Sequence, residues 1–176
     1  LYCGYGALTS LDVSQNANLI QIICVENQLV TISLKDENTA TENTTLTYLD
    51  CGMNKLTKLD LSNHTALTKL LCYHNPTLEG RIYISAEADM IEINCGNTGL
   101  TSVNNGEAGK LNISNYPNLE RLECYSSQLT DINLSNNKEL QLLNCKWNEL
   151  TELNLNNQQK LETLKCSYNQ LANLNI

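Results

Sequence analysis

Leu46-Thr47-Tyr48-Leu49-Asp50-Cys51-Gly52-Met53-Asn54-Lys55-Leu56-Thr57-Lys58-Leu59-Asp60-Leu61 is the stretch that decides the fold. Its apolar residues follow the pattern L-x-x-L-x-C-x-x-N-x-L-x-x-L-x-L. The same pattern returns as Leu140, Leu143, Cys145, Asn148, Leu150, Leu153, Leu155, and as Leu161, Leu164, Cys166, Asn169, Leu171, Leu174, Ile176. A conservative version runs Leu19, Ile22, Cys24, Asn27, Leu29, Ile32, Leu34. One unit surrounds each of eight cysteines: Cys3, Cys24, Cys51, Cys72, Cys95, Cys124, Cys145 and Cys166. Successive cysteines lie 21, 27, 21, 23, 29, 21 and 21 residues apart, a 21-residue period with insertions of 6, 2 and 8. Such self-similarity marks a solenoid, in which each unit buries its apolar side only by stacking on its neighbours.

Alternation in L-x-x-L-x-C sends those residues inward from a short strand and the intervening ones outward. Stacked units then form a parallel sheet whose inner side the rest of each coil must cover. The second half of the unit alternates in the same way, predicting a second row of short extended segments opposite. Eight coils at about 4.8 Å each make a slab roughly 38 Å long. The Asn of the turn (Asn27, Asn54, Asn75, Asn148, Asn169) is expected to bond neighbouring backbone groups inside its coil. Gly6, Thr98 and Ser127 take its place elsewhere and should tie their turns less tightly.

Over essentially its whole length the chain resembles the leucine-rich-repeat superfamily, and within it the short cysteine-bearing repeats of the bacterial internalin kind. It departs from the general consensus by placing Cys where Leu normally stands. The resemblance implies a leucine-rich-repeat solenoid of eight short coils, mostly β with little α-helix. A parallel sheet would form the concave face and extended segments the convex face. It also implies a bacterial extracellular or cell-surface protein engaged in adhesion or host recognition.

The insertions fall within Lys35 to Thr45, around Pro76 and Gly80, and within Asn104 to Lys110. All three spare the first strand of their units, so they are expected to loop out from turns or the far face, as tolerated loop growth or as binding loops. The chain opens inside a strand at Leu1 and stops at the inward position Ile176, with no recognisable cap. A single solenoid, uncapped at both ends and cut from a longer protein, is the expectation.

Composition narrows the function. There is no Phe, one Trp and two Met, which suits interior slots of uniform aliphatic size. The net charge is −8, with 19 acidic and 11 basic residues and no run of like charges beyond two. That argues against nucleic acid, whose phosphates call for clustered Lys and Arg. No stretch approaches the ~18 apolar residues of a membrane span, so no membrane insertion is expected of this segment.

The cysteines invite metal or disulfide chemistry. Yet the sequence has no C-x-x-C, and His64 and His74 are ten residues apart on different faces, so no metal site is expected. Neighbouring thiols would lie within ~5 Å, but parallel side-chain vectors disfavour a disulfide. Buried free thiols that pack as small apolar residues are the expectation. No nucleophile elbow or phosphate-cradling loop is present, and Asp50, Glu92 and Glu123 form no evident acid–base pair with one raised pKa. No cofactor and no enzymatic activity are expected.

The aromatics carry the functional reading. The outward positions are taken as the two residues on either side of each cysteine, plus one further back. Tyr2, Tyr5, Tyr48, Tyr73, Tyr125, Trp147 and Tyr168 occupy them, leaving only Tyr83 and Tyr116 elsewhere. Ile23, Val25, Met53 and Leu71 share the face with Asp50, His74, Glu92, Arg121, Glu123, Lys146 and Lys165. Tyr and Trp among mixed charges resemble the core of a binding surface. Strand propensity alone would also populate the second row, where only Tyr83 stands. A protein or glycan held on the concave face is the first reading. A structural spacer or stalk that projects another domain is the alternative.

Overall fold

The structure is a computed structural model that describes residues 1–34, 44–103 and 107–174. Seven of the eight coils each contribute one three-residue strand to a seven-stranded parallel sheet. These strands are β2 (Gln21–Ile23), β4 (Tyr48–Asp50), β6 (Lys69–Leu71), β8 (Glu92–Asn94), β11 (Arg121–Glu123), β13 (Leu142–Asn144) and β14 (Thr163–Lys165), hydrogen-bonded in that order. Tyr2 joins the same face through a single parallel bridge to Ile23, so the first of the eight coils contributes a bridge in place of a strand. On the opposite face β1 (Ser10–Asp12) pairs with β3 (Thr31–Ser33). A parallel five-stranded sheet there joins β5 (Leu59–Leu61), β7 (Asn75–Ile84), β9 (Thr98–Val103), β10 (Lys110–Asn112) and β12 (Asp131–Asn133). Both expected rows of strands are present, with no α-helix among the described residues.

Register is uniform on the first face: Ile22, Leu49, Leu70, Ile93, Leu122, Leu143 and Leu164 stand opposite one another along the stack. This column points inward, which corrects one expectation. The residue two before each cysteine belongs to the core, whereas the one three before it faces out. Six of the eight cysteines form the adjacent inward column and are buried, while Cys3 and Cys166 are half-buried. Leu46, Leu67, Met90, Leu119 and Leu140 make a third buried column, in which one Met replaces Leu without change of shape class.

The turn after each cysteine has a common geometry. The residue two beyond it is left-handed in all eight coils: Tyr5, Glu26, Met53, His74, Asn97, Ser126, Trp147 and Tyr168 have φ between 51 and 60°. None is glycine, although this conformation costs an L-residue roughly 1–2 kcal/mol. The left-handed step ends the strand and swings the next side chain back under it. Where that side chain is Asn it bonds two coils at once. Asn54 Nδ2 donates to Cys51 O at 3.1 Å in its own coil and to Cys24 O at 3.0 Å in the preceding one, while Oδ1 accepts from Leu29 N at 2.9 Å. Asn27, Asn75, Asn148 and Asn169 repeat the arrangement, so the asparagines staple coil to coil as well as closing their own turns. Thr98 donates only to Cys95 O of its own coil.

The insertion around Pro76 and Gly80 is not a loop. It is built into β7, which pairs with β9 through register shifts on either side of Gly80 and so absorbs the extra residues as an irregular ladder. The segment 35–43 and residues 104–106, where most of the other two insertions fall, lie outside the described residues.

Candidate functional site

Four outward columns make up the strand face. Three before the cysteine run Gln21, Tyr48, Lys69, Glu92, Arg121, Leu142 and Thr163; one before it run Ile23, Asp50, Leu71, Asn94, Glu123, Asn144 and Lys165. One after it, Tyr73 and Tyr125 follow Gly52 and Gly96. The left-handed residues form the rim.

The two glycines explain how the tyrosines lie. A methyl at Gly52 would stand 2.6 Å from Tyr73 Cε1, and one at Gly96 would stand 2.3 Å from Tyr125 Cε1. Each ring therefore lies flat on the sheet, on a shelf that only glycine leaves open. Gly4 leaves a similar space, where Val25 Cγ1 would be 3.2 Å from an added methyl, and Val25 is buried on this outward face. Nothing in a single repeat reveals this pairing, because each glycine serves a ring 21 or 29 residues further along.

The aromatics of this face gather into two groups. Trp147 and Tyr168 stack with centroids 5.2 Å apart and planes at 13°, and Lys146 Nζ sits 5.6 Å from the Trp147 centroid. Both rings stay open to solvent, Trp147 at 50% and Tyr168 at 68% exposure. His74 meets Tyr73 edge-on at 5.7 Å and Tyr125 at 6.1 Å, while its Nδ1 faces Asn97 Nδ2. Tyr125 thus joins the Tyr73–His74 group. Arg121 does not: its Nε pairs with Glu92 at 3.5 Å, as does Lys69 Nζ from the other side. Glu123 Oε2 accepts from Asn144 Nδ2 at 2.9 Å. Tyr2 hydrogen-bonds Gln21 through its hydroxyl, Tyr5 is exposed on the rim, and Lys165 is exposed at the far end of its column.

Asp50 differs from the other carboxylates. It is 9% exposed, and its column neighbours Ile23 and Leu71 are apolar. Burial pushes its pKa up, opposed by the Gly52 N–H that donates to Oδ1 at 3.1 Å. Among the described residues no acid–base partner stands beside it. A native pKa above the unfolded one makes ionised Asp50 a cost to folding, absent at low pH and incurred as pH rises through the native pKa. Asp50→Asn keeps an acceptor for Gly52 N–H and should raise the melting temperature at pH 7. The gain should shrink to nothing as pH falls below the carboxylate range; a gain independent of pH would contradict this account.

The thiol column is chemically quiet. All eight cysteines are free. Burial, then neighbouring thiols or carboxylates, pushes Cys24 up to about 12; burial does the same for Cys95 and Cys145. Cys51, Cys72 and Cys124 lie well above the ordinary thiol value for the same first reason. Among the described residues no three His, Cys, Asp or Glu side chains converge as metal ligands, and no helix is long and apolar enough to cross a membrane.

No protein-family profile and no curated protein sequence matches the chain. Among solved structures it is similar to the functional domain of InlJ from Listeria monocytogenes, which includes a cysteine ladder. The two share 28% identity with a TM-score of 0.61, over 96% of this chain and 41% of that one. The cysteine ladder of that domain has its counterpart here in the column of buried thiols. The chain is a parallel β-solenoid of leucine-rich-repeat-like form, similar to that of an internalin. Its cysteine ladder is the interior of this internalin-like stack, and its outward columns are the surface that varies from coil to coil. It spans 41% of the length of that structural relative.

Proposed function

We propose that the chain is a non-enzymatic recognition module of a bacterial surface protein, holding a protein or glycan on its concave, aromatic-rich face. The observation that carries this reading is the exposed Trp147–Tyr168 stack with Lys146 over it. Two large rings standing half in water gain little for folding, yet they offer rigid, amphipathic area of the kind that dominates interface energetics. Tyr73, His74 and Tyr125 extend the surface along the sheet. The likeness to an internalin supports a surface location and a binding role.

The test is a glycan and surface-protein binding screen of the intact segment, repeated after change of the face. Trp147→Ala combined with Tyr125→Ala is expected to weaken capture at least 30-fold, the effect of losing one hot spot of about 2 kcal/mol. Capture unchanged by both substitutions would instead favour a spacer that projects a neighbouring domain.

A further inference from the structure

The stack offers internal controls, because each coil solves the same turn. In the coil of Cys51 the Asp50 carboxylate accepts from Gly52 N at 3.1 Å, and in the coil of Cys95 the neutral Asn94 amide accepts from Gly96 N at 3.2 Å. Ile23 and Leu71 precede the same turn with no acceptor at this position, and Asn94 supplies a neutral one, so the turn needs no charge there. Asp50 nonetheless places an ionisable carboxyl there at 9% exposure, and among the described residues no cation pairs with it. The charged groups on the flanking strands leave it alone: β2 has none, and Lys69 on β6 is turned to Glu92, which Arg121 also engages. The second carboxylate oxygen takes no hydrogen bond and is not sealed from water.

The walls of this position are equally specific. Ile23 and Leu71 flank Asp50 along its column, Tyr48 stands two residues before it on the same strand, and the Tyr73 ring lies over Gly52. A half-desolvated carboxylate between apolar walls and tyrosine rings suits a cation that is weakly hydrated and flat. Guanidinium meets both conditions: it stacks on aromatic faces and donates in its own plane, whereas ammonium holds its water more strongly. A partner's charge would also relieve the cost of burying this one.

We infer that Asp50, with Tyr48 and Tyr73, forms a socket for an arginine side chain of a protein partner. The inference rests on the concave face being a binding surface and selects a protein ligand over a glycan at this position.

The socket can be probed without the partner. The whole chain is titrated with N-acetyl-arginine amide while carbon NMR follows the Asp50 carboxyl and the Tyr48 and Tyr73 rings. Saturable shifts at all three are expected, with the Asp50 titration midpoint moving downward on saturation. Asp50→Asn, which keeps the turn's acceptor, should abolish saturation, and Glu123→Gln should leave it intact. Linear shifts without saturation, an equal response to norleucine amide, or saturation that survives Asp50→Asn would overturn the socket. Equal saturation by N-acetyl-lysine amide would overturn the choice of arginine. Failure here leaves partner capture through Trp147 and Tyr125 to be decided by its own variants, so the two readings fail separately.

Discussion

Between about pH 9 and pH 11 the protein is expected to unfold cooperatively, without heat or denaturant, because its interior holds a column of thiols that resist ionisation while folded. A thiol in an unfolded chain ionises near pH 8.5. Cys24, Cys95 and Cys145 ionise at about 12 in the folded coil, and Cys51, Cys72 and Cys124 are held well above the ordinary value. Native values above unfolded ones mean that this stability is whole below about pH 8.5 and is lost as pH climbs toward the native values. At pH 10 each unfolded thiol has gained about 2 kcal/mol by ionising, and each folded one almost nothing. Six such groups amount to on the order of 10 kcal/mol, comparable with the whole stability of an ordinary domain, about 5–15 kcal/mol. Far-ultraviolet circular dichroism and thiolate absorbance, followed together under reducing conditions, should change in one step. Thiolate signal that develops gradually while the dichroism stays native would show that water reaches the column and would refute the expectation.

Asn54→Ala should lower the unfolding free energy by about 3–4 kcal/mol, or roughly 6–16 °C in melting temperature for a chain of this size. The side chain is 5% exposed and donates to Cys24 O, Cys51 O and Gly52 O while accepting from Leu29 N. The three carbonyls keep a second donor each, from Asn27, Asn75 and Glu26 N. Leu29 N–H is orphaned, and a buried donor without a partner costs about 1–3 kcal/mol on top of the bonds lost. Thr98→Ala, which removes a single bond to Cys95 O, is the internal comparison and should cost about 1 kcal/mol. Equal melting shifts for the two would show that the bonds between coils contribute nothing.

Much of the fold was legible before any coordinates. The cysteine spacing exposed the period, and the alternation around Cys51 identified inward Leu49, outward Tyr48 and the second row of strands. Legibility failed where a position depends on the next coil. Val25 stands in an outward column as read, yet it is buried against the space left by Gly4. The residues around Pro76 read as a loop but pair in β7 against β9. Arg121 and Glu92 read only as two charges on the same face, and the stack pairs them one coil apart.

By itself the sequence determined the repeat, its handful of inward columns, the absence of ordinary catalytic motifs and the concentration of aromatics on one face. Those are properties of one unit written many times, and periodicity is visible in one dimension. Only the tertiary structure decided that Tyr73 lies flat on Gly52, that the Asp50 carboxyl is buried with no cation beside it among the described residues, and that each turn asparagine ties two coils. The reason is physical: these contacts join residues that stack across the strand spacing but lie a full repeat apart in the chain. What each column position experiences is set by the side chain its neighbour happens to place beside it.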